Sequence, residues 1–206
     1  MTHQKNIITA GVPLEQAKKA LIMIHGRGGS ARDIISLAPH LNVADFAIVA
    51  PQATGNTWYP QSFLAPPSQN EPYLTGALQL LTQVVDDVLA AGISRENIYF
   101  LGFSQGACLT LEFTTRNAAQ YGGIVAFTGG LIGDKIYTAN YKGNFNQTPV
   151  YIGSSDPDFH VPVSRVHESE AILQSMGANV TATIYPNMGH TITGEEISQA
   201  NKLVFK

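Results

Sequence analysis

The pattern Gly-x-Ser-x-Gly at residues 102–106 places the tightest constraint on how this chain can fold. An apolar run over 98–103 leads into the pattern, and a helical pattern begins directly after it, at Gln105. A serine at such a sharp strand-to-helix turn needs neighbours without a Cβ, because the backbone there is strained and closely packed. The sequence therefore predicts a nucleophile elbow that presents the hydroxyl of Ser104.

Strands and helices are predicted to alternate along the chain. Apolar runs typical of buried strands lie at 21–24, 46–50, 98–103, 123–127, 150–152 and 180–185. Apolar residues at helical spacing predict helices over 31–38, 74–89, 105–117, 163–176 and 195–203, the second of them ended by Gly92. Such alternation needs crossover connections, so we predict an α/β fold: a mostly parallel sheet, with helices on both faces and functional loops at the carboxyl ends of the strands.

The length and composition indicate one domain over residues 1–206, because the chain can bury one substantial core and contains no evident linker or repeat. A formal net charge of −3 without blocks of like charge gives no basis for binding nucleic acid or an anionic membrane. No apolar run is long enough to span a bilayer. The single cysteine, Cys108, excludes an internal disulfide, and nothing resembles a secretion signal, so a cytoplasmic location is expected. Cys108 is expected to be a small buried apolar residue.

A serine hydroxyl becomes an effective nucleophile when a base takes its proton and a carboxylate orients that base. His190 follows the last predicted strand, where a loop can bring its imidazole to Ser104, and it is the predicted base; His160 is the competing histidine. The loop after the preceding strand offers two carboxylates, Asp156 and Asp158. Position alone allows either of them to be the acid.

The segment His25-Gly26-Arg27-Gly28-Gly29-Ser30 forms a glycine-rich turn after the first predicted strand. The backbone N–H groups of Arg27 and Gln105 are predicted to form the oxyanion hole, in which they would stabilise the oxyanion of an attacked carbonyl. A phosphate-binding loop is the alternative, because glycines before a helix also bind anions. It is the weaker interpretation, since the segment has neither a Gly-Lys-Ser/Thr ending nor Gly-x-Gly-x-x-Gly spacing. The predicted chemistry requires no metal ion and no organic cofactor.

Together these segments resemble the phospholipase/carboxylesterase family of α/β-hydrolases, which includes bacterial carboxylesterases and acyl-protein thioesterases. The resemblance rests on residues 25–28, 51–60 with Trp58 and Tyr59, 102–106, 158–162 and 189–190. It implies an α/β-hydrolase fold with little or no cap domain and supports the Arg27 and Gln105 amides as the oxyanion hole. It also selects Asp158 as the acid, three residues before a Val-Pro pair, although a two-residue shift of the alignment would select Asp156.

The resemblance implies a serine hydrolase that cleaves small-molecule carboxylic esters through an acyl-enzyme, with Ser104, His190 and Asp158 as its triad. Phospholipase or lysophospholipase activity would be a variant of this reaction. An acyl-protein thioesterase or a lactone hydrolase would use the same residues. A hydrolase scaffold that senses a small molecule is the non-enzymatic alternative.

The loops near the site contain apolar and aromatic candidates for a substrate pocket, above all in the proline-rich stretch 52–72, which is predicted to cover the site. These candidates are Trp58, Tyr59, Phe63, Leu64 and Met188. Large residues in such loops also commonly pack on the core. The Arg27 side chain is expected to meet either a substrate carboxylate or solvent, and the sequence leaves a homodimer open.

Overall fold

A computed structural model describes residues 2–206. Its strands are β1 Ile7–Gly11, β2 Lys19–Ile24, β3 Phe46–Pro51, β4 Ile98–Phe103, β5 Gly123–Phe127, β6 Pro149–Asp156 and β7 Asn179–Pro186. They form one sheet in the order β1-β3-β2-β4-β5-β6-β7. β1 pairs with β3 in antiparallel orientation, and the other neighbouring pairs are parallel. The predicted mostly parallel sheet is confirmed.

Helices cover both faces of this sheet, as predicted. They are α1 Ala31–Ile35, α2 Tyr73–Ala90, α3 Gln105–Arg116, α4 Val163–Ser175 and α5 Gly194–Leu203. Residues of α2, α3 and α4 share one apolar cluster with Ile22 and Ile24 of β2, whereas α1 and α5 pack in a second cluster with Leu21 and Met23. Because both faces are covered, residues 20–24 of β2 are fully buried.

The longest helix, α2, follows from the spacing of its apolar residues. Leu74, Ala77, Leu81, Val84 and Val88 recur at intervals of three and four residues, and all are buried. Beyond the end of the helix, Gly92 has a φ of 92°, the left-handed conformation in which glycine commonly ends a helix. The predicted end at Gly92 is therefore confirmed.

One strand was not predicted, and two boundaries differ from the predictions, for identifiable reasons. The edge strand β1 has no clear local pattern, because its five residues are held by pairing with β3, far along the chain. The first predicted helix stops early, at Ile35, and a 3₁₀ turn follows at Ala38–His40, since Pro39 disfavours the α conformation at the residue before it. β6 extends to Asp156 because its polar end pairs with β7 over the whole strand.

The stretch from 52 to 72 connects β3 to α2 as a loop with two 3₁₀ turns. The buried side chain of Asn70 holds it: Oδ1 accepts the N–H of Gln61 at 2.8 Å, and Nδ2 donates to the carbonyl of Ser62 at 3.0 Å. Among the described residues, no helix has the length and apolar character that crossing a bilayer requires. The organisation of residues 1–206 as one domain stays a prediction, which the continuous sheet supports.

The carboxyl ends of β2, β4, β6 and β7 meet at one edge of the sheet, because these strands are parallel. The loop 25–30 follows β2, Ser104 follows β4, the loop 157–162 follows β6 and the loop 187–193 follows β7. Every segment that the sequence analysis singled out for chemistry therefore reaches the same edge.

We expect the substitution Gly106→Ala to destabilise the fold. A Cβ on this residue would collide with the backbone carbonyls of Ile24 and His25, and backbone cannot move aside as a flexible side chain can. Overpacking of this kind lowers the free energy of unfolding by about 1–3 kcal/mol. Urea denaturation measures the change.

Gly194→Ala is the matched control. A Cβ at Gly194, the first residue of α5, would have no neighbour within 4 Å. The free energy of unfolding of this variant should therefore stay within about 0.5 kcal/mol of that of the unsubstituted chain. Equal effects of the two substitutions would show that close packing at Gly106 is not what restricts this position.

Candidate active site

Ser104 occupies the turn between β4 and α3 in a strained conformation, with φ 54° and ψ −118°. Its N–H donates to the carbonyl of Phe127 on β5 at 2.9 Å. A Cβ at Gly102 would collide with the carbonyl of Gly106, so the two glycines let strand and helix approach on either side of the serine. The strand, turn and helix predicted for this segment are present, and they aim the Ser104 hydroxyl at the edge of the sheet.

Three side chains from separate segments meet at this edge. His190 Nε2 lies 2.8 Å from Ser104 Oγ, and His190 Nδ1 lies 2.8 Å from Asp158 Oδ2. A neutral imidazole that accepts the serine proton at Nε2 carries its own proton on Nδ1, which it donates to the carboxylate. The geometry therefore suits an imidazole that removes a proton from Ser104 and becomes a cation beside Asp158.

Asp158 has a fully buried side chain. Its Oδ2 accepts from His190, and its Oδ1 accepts the backbone N–H groups of His160 at 2.7 Å and Val161 at 2.9 Å. Burial alone would raise the pKa of Asp158, but these donors outweigh it and hold the pKa below its ordinary value of 3.8. Asp158 is therefore ionised near neutral pH and can stabilise positive charge on His190.

The other candidates for acid and base lie close by with different contacts. Asp156 has an exposed side chain, and its backbone carbonyl accepts the N–H of Asn187 at 2.8 Å. His160 contacts the His190 ring edge-to-face, with ring centroids 4.9 Å apart. The structure thus brings Asp158 and His190 to Ser104 and leaves Asp156 and His160 beside them.

The two amides predicted for the oxyanion hole lie next to the serine. Gln105 follows Ser104 and opens α3, where backbone N–H groups have no acceptor within the helix. Gly26 brings the loop before Arg27 close, since a Cβ there would lie 3.5 Å from the Ser104 Cβ. Over residues 2–206, neither the N–H of Arg27 nor that of Gln105 is hydrogen-bonded. Both donors are available, and their role stays a prediction.

The side chains of Arg27 and Gln105 have a structural task that the sequence analysis missed. The Arg27 guanidinium is exposed, but it donates to the carbonyls of Pro60 at 2.9 Å and Gln61 at 2.6 Å. Gln105 Nε2 donates to the carbonyl of Tyr59 at 2.8 Å. Arg27 thus fastens the loop after β3 to the loop after β2, and Gln105 fastens it to the elbow.

A cavity of about 420 Å³ opens over Ser104 and His190. Its apolar and aromatic wall residues are Tyr59, Phe63, Leu64, Phe159, Val161 and Pro162. The size is typical of a small-molecule pocket. Phe159 stands at the rim with 98% of its surface exposed, and the sequence analysis missed it. The sequence contained a signal for this residue: it is an aromatic residue directly after the candidate acid Asp158, and therefore close to the site.

Two predicted pocket residues do not belong to the described wall of this cavity. Trp58 is fully buried: its Nε1–H donates to the carbonyl of His25 at 2.8 Å, and the two rings lie 5.0 Å apart. Met188 is half-buried, with its sulfur 3.7 Å from the hydroxyl of Thr193, and it does not belong to the described cavity wall. Large side chains gain more free energy in the core than at a solvated rim, which explains the place of Trp58.

Cys108 lies on the first turns of α3 at the base of the cavity, with 1% of its surface exposed. Burial raises the pKa of its thiol to about 12, from an ordinary value of 9.0. A thiolate is the reactive form of cysteine, and burial keeps this thiol protonated near neutral pH. Ser104 is therefore the better candidate for a nucleophile.

Comparison with known families matches residues 6–205 to the family described as Phospholipase/Carboxylesterase. Among curated proteins, a probable carboxylesterase SOBER1-like of Arabidopsis thaliana is 29% identical over 63% of this chain and 49% of its own length. Acyl-protein thioesterase 1 of Kluyveromyces lactis is 24% identical over 98% of this chain and 97% of its own length. The chain spans about half the length of the plant relative and nearly the whole of the yeast one.

Solved structures show the same fold. A phospholipase/carboxylesterase from Dyadobacter fermentans DSM 18053 superposes with a TM-score of 0.99 at 59% identity, covering 100% of this chain and 99% of that one. Esterase PE8 superposes with a TM-score of 0.80 at 24% identity, covering 98% of this chain and 97% of that one. The α/β-hydrolase fold predicted from the resemblance is confirmed.

We expect Cys108 to resist alkylation in the folded protein. With a pKa of about 12, about one thiol in ten thousand is ionised at pH 8. Iodoacetamide should therefore modify the native chain at least about a thousandfold more slowly than the chain unfolded in guanidinium chloride. Intact-mass spectrometry reads the reaction without ambiguity, because the chain has one cysteine. Rapid modification of the native protein would show that the thiol is accessible and activated.

Proposed function

Because the chain belongs to the phospholipase/carboxylesterase family, we propose that it is a serine hydrolase that cleaves carboxylic esters. The observation that carries the proposal is the pair of 2.8 Å hydrogen bonds that joins Asp158 to His190 and His190 to Ser104. These groups open on a cavity large enough for a small ester. As proposed, the reaction uses only groups of the protein and water.

In the first half of the reaction, Ser104 Oγ attacks the ester carbonyl carbon while its proton passes to His190 Nε2. The negative charge that develops on the carbonyl oxygen is stabilised by the N–H groups of Arg27 and Gln105. The carbon–oxygen bond to the alcohol then breaks, and the alcohol leaves with the proton from His190. An acyl ester of Ser104 remains.

In the second half, His190 takes a proton from water, and the resulting hydroxide attacks the acyl carbonyl. The acid is released when the bond to Ser104 Oγ breaks and His190 returns the proton to that oxygen. Asp158 keeps the imidazole in the tautomer with Nδ1 protonated and stabilises its cationic form in both halves. Its lowered pKa supports this role, since a protonated carboxyl could not do so.

The cavity wall supports small-molecule esters with short or medium acyl chains as substrates. Tyr59, Phe63 and Leu64 offer apolar surface in the wall, and the exposed Phe159 does so at the rim. An acyl-protein thioesterase is the second candidate, favoured by the yeast relative of that name, which the chain matches over nearly its whole length. Thioesters would be cleaved by the same steps, with a thiol as the leaving group.

Location and assembly are proposals as well. We propose the cytoplasm, because the one thiol is free and buried and the fold needs no disulfide. The homodimer left open by the sequence stays a proposal too. The strand β1, at one edge of the sheet, is a place where a second copy could pair.

We expect p-nitrophenyl esters of increasing chain length to be hydrolysed with a burst of nitrophenol, and Ser104→Ala to lower kcat by about four to six orders of magnitude. The loss follows because no other group in the proposed cycle can hold the acyl chain. Stopped-flow absorbance measures the burst, and a fluorophosphonate should label Ser104 in peptide mapping. Labelling of another residue, or silence on every chain length and on thioesters, would favour the binding scaffold over the enzyme.

Asp158→Asn and Asp156→Asn form a matched pair that tests the acid. We expect Asp158→Asn to lower kcat by about three to four orders of magnitude, because an amide cannot stabilise the imidazolium. Asp156→Asn should stay within about fivefold of the unsubstituted enzyme, since its side chain is exposed. Steady-state kinetics on one p-nitrophenyl ester gives both values, and the opposite ranking would overturn the assignment.

A further inference from the structure

Two serines lie side by side at the carboxyl end of β6, and their hydroxyls have different surroundings. Ser154 and Ser155 are both fully buried, and successive residues of a strand point to opposite faces of the sheet. Ser155 Oγ accepts the backbone N–H of Gly189 at 2.9 Å and donates to the carbonyl of Pro157 at 3.3 Å. Within the part of the chain that the structure describes, Ser154 Oγ has no hydrogen-bond partner.

The two partners of Ser155 belong to the segments that carry the candidate acid and base. Pro157 directly precedes Asp158, and Gly189 directly precedes His190. One buried hydroxyl is therefore bonded to the backbone beside both residues. Because Ser155 itself lies in β6, its hydroxyl connects both loops to a rigid strand of the sheet.

The hydrogen bonds between β6 and β7 cannot hold these two loops, because the loops begin after the last paired residues. β6 and β7 are paired up to Asp156 and Pro186, and the chain leaves the sheet after both residues. The Asn187 N–H still bonds the Asp156 carbonyl, but His190 lies three residues further along. The bond from Gly189 to Ser155 holds the loop at the residue before the imidazole.

We propose that Ser155 is a positioning residue for the hydrolysis: its hydroxyl sets the distance between the loops of Asp158 and His190. The inference rests on the function proposed above. Ser155 does not belong to the described cavity wall, so it acts through the two residues that it holds and not through the substrate. Its loss should therefore affect the chemical steps and leave substrate binding unchanged.

Ser155→Ala tests the proposal, with Ser154→Ala as the matched control: the same substitution in the next residue, at equal burial. We expect Ser155→Ala to lower kcat about 10- to 100-fold, the range for a small misplacement of catalytic groups, with KM within about twofold. The burst should keep an amplitude of one per folded chain and become slower. Ser154→Ala should keep kcat within about twofold and be at least as stable, because it removes a buried hydroxyl without a partner.

A second measurement keeps the test independent of turnover. The proton on His190 Nδ1, in its bond to Asp158, gives a far-downfield resonance in proton NMR, which we expect to shift or broaden in Ser155→Ala and not in Ser154→Ala. Equal kcat values for the two variants, with the resonance unchanged in both, would overturn the proposal. A raised KM at unchanged kcat would overturn it in favour of a pocket role. If the unsubstituted protein hydrolyses no ester, the proposed function fails, whereas the resonance still decides whether Ser155 positions His190.

Discussion

The close contact of Gly102 with Gly106 around Ser104 is the constraint on which the rest of this structure depends. A serine with φ 54° is strained, and strain of this kind persists only where surrounding structure holds it. Here the sheet holds it through the bond to Phe127, and the approach of α3 to the carbonyls of Ile24 and His25 holds it from the other side. The elbow therefore sets both the direction of the hydroxyl and the path of the neighbouring loop.

Two buried carboxylates near this edge show how local donors decide the charge of an acid. Asp158 accepts three hydrogen bonds, which lower its pKa in spite of burial. Glu196 is also fully buried and caps α5 by accepting the N–H of Thr193 at 2.9 Å, yet its pKa is raised because burial dominates there. The difference suits their places: Asp158 is hydrogen-bonded to His190, whereas Glu196 caps the helix that follows the loop carrying His190.

The wall of the cavity depends on the same residues that border the candidate nucleophile. Arg27 and Gln105 offer free backbone N–H groups on one side and bind the loop after β3 with their side chains. The segments that contain Arg27 and Gln105 therefore border the cavity and also hold the loop that covers it. This arrangement links the shape of the cavity to the position of the two candidate oxyanion donors.

The sequence by itself determined those features that depend on interactions between residues close together in the chain. The spacing of Leu74 to Val88 specifies α2, and the glycines around Ser104 specify the elbow, since period and steric freedom are local properties. Position alone left both Asp156 and Asp158 open as the acid, and the tertiary structure brings Asp158 within hydrogen-bond distance of His190. It also placed Trp58 in the core and Phe159 at the rim. These outcomes depend on which atoms of distant segments meet once the sheet has formed, and no local pattern carries that information.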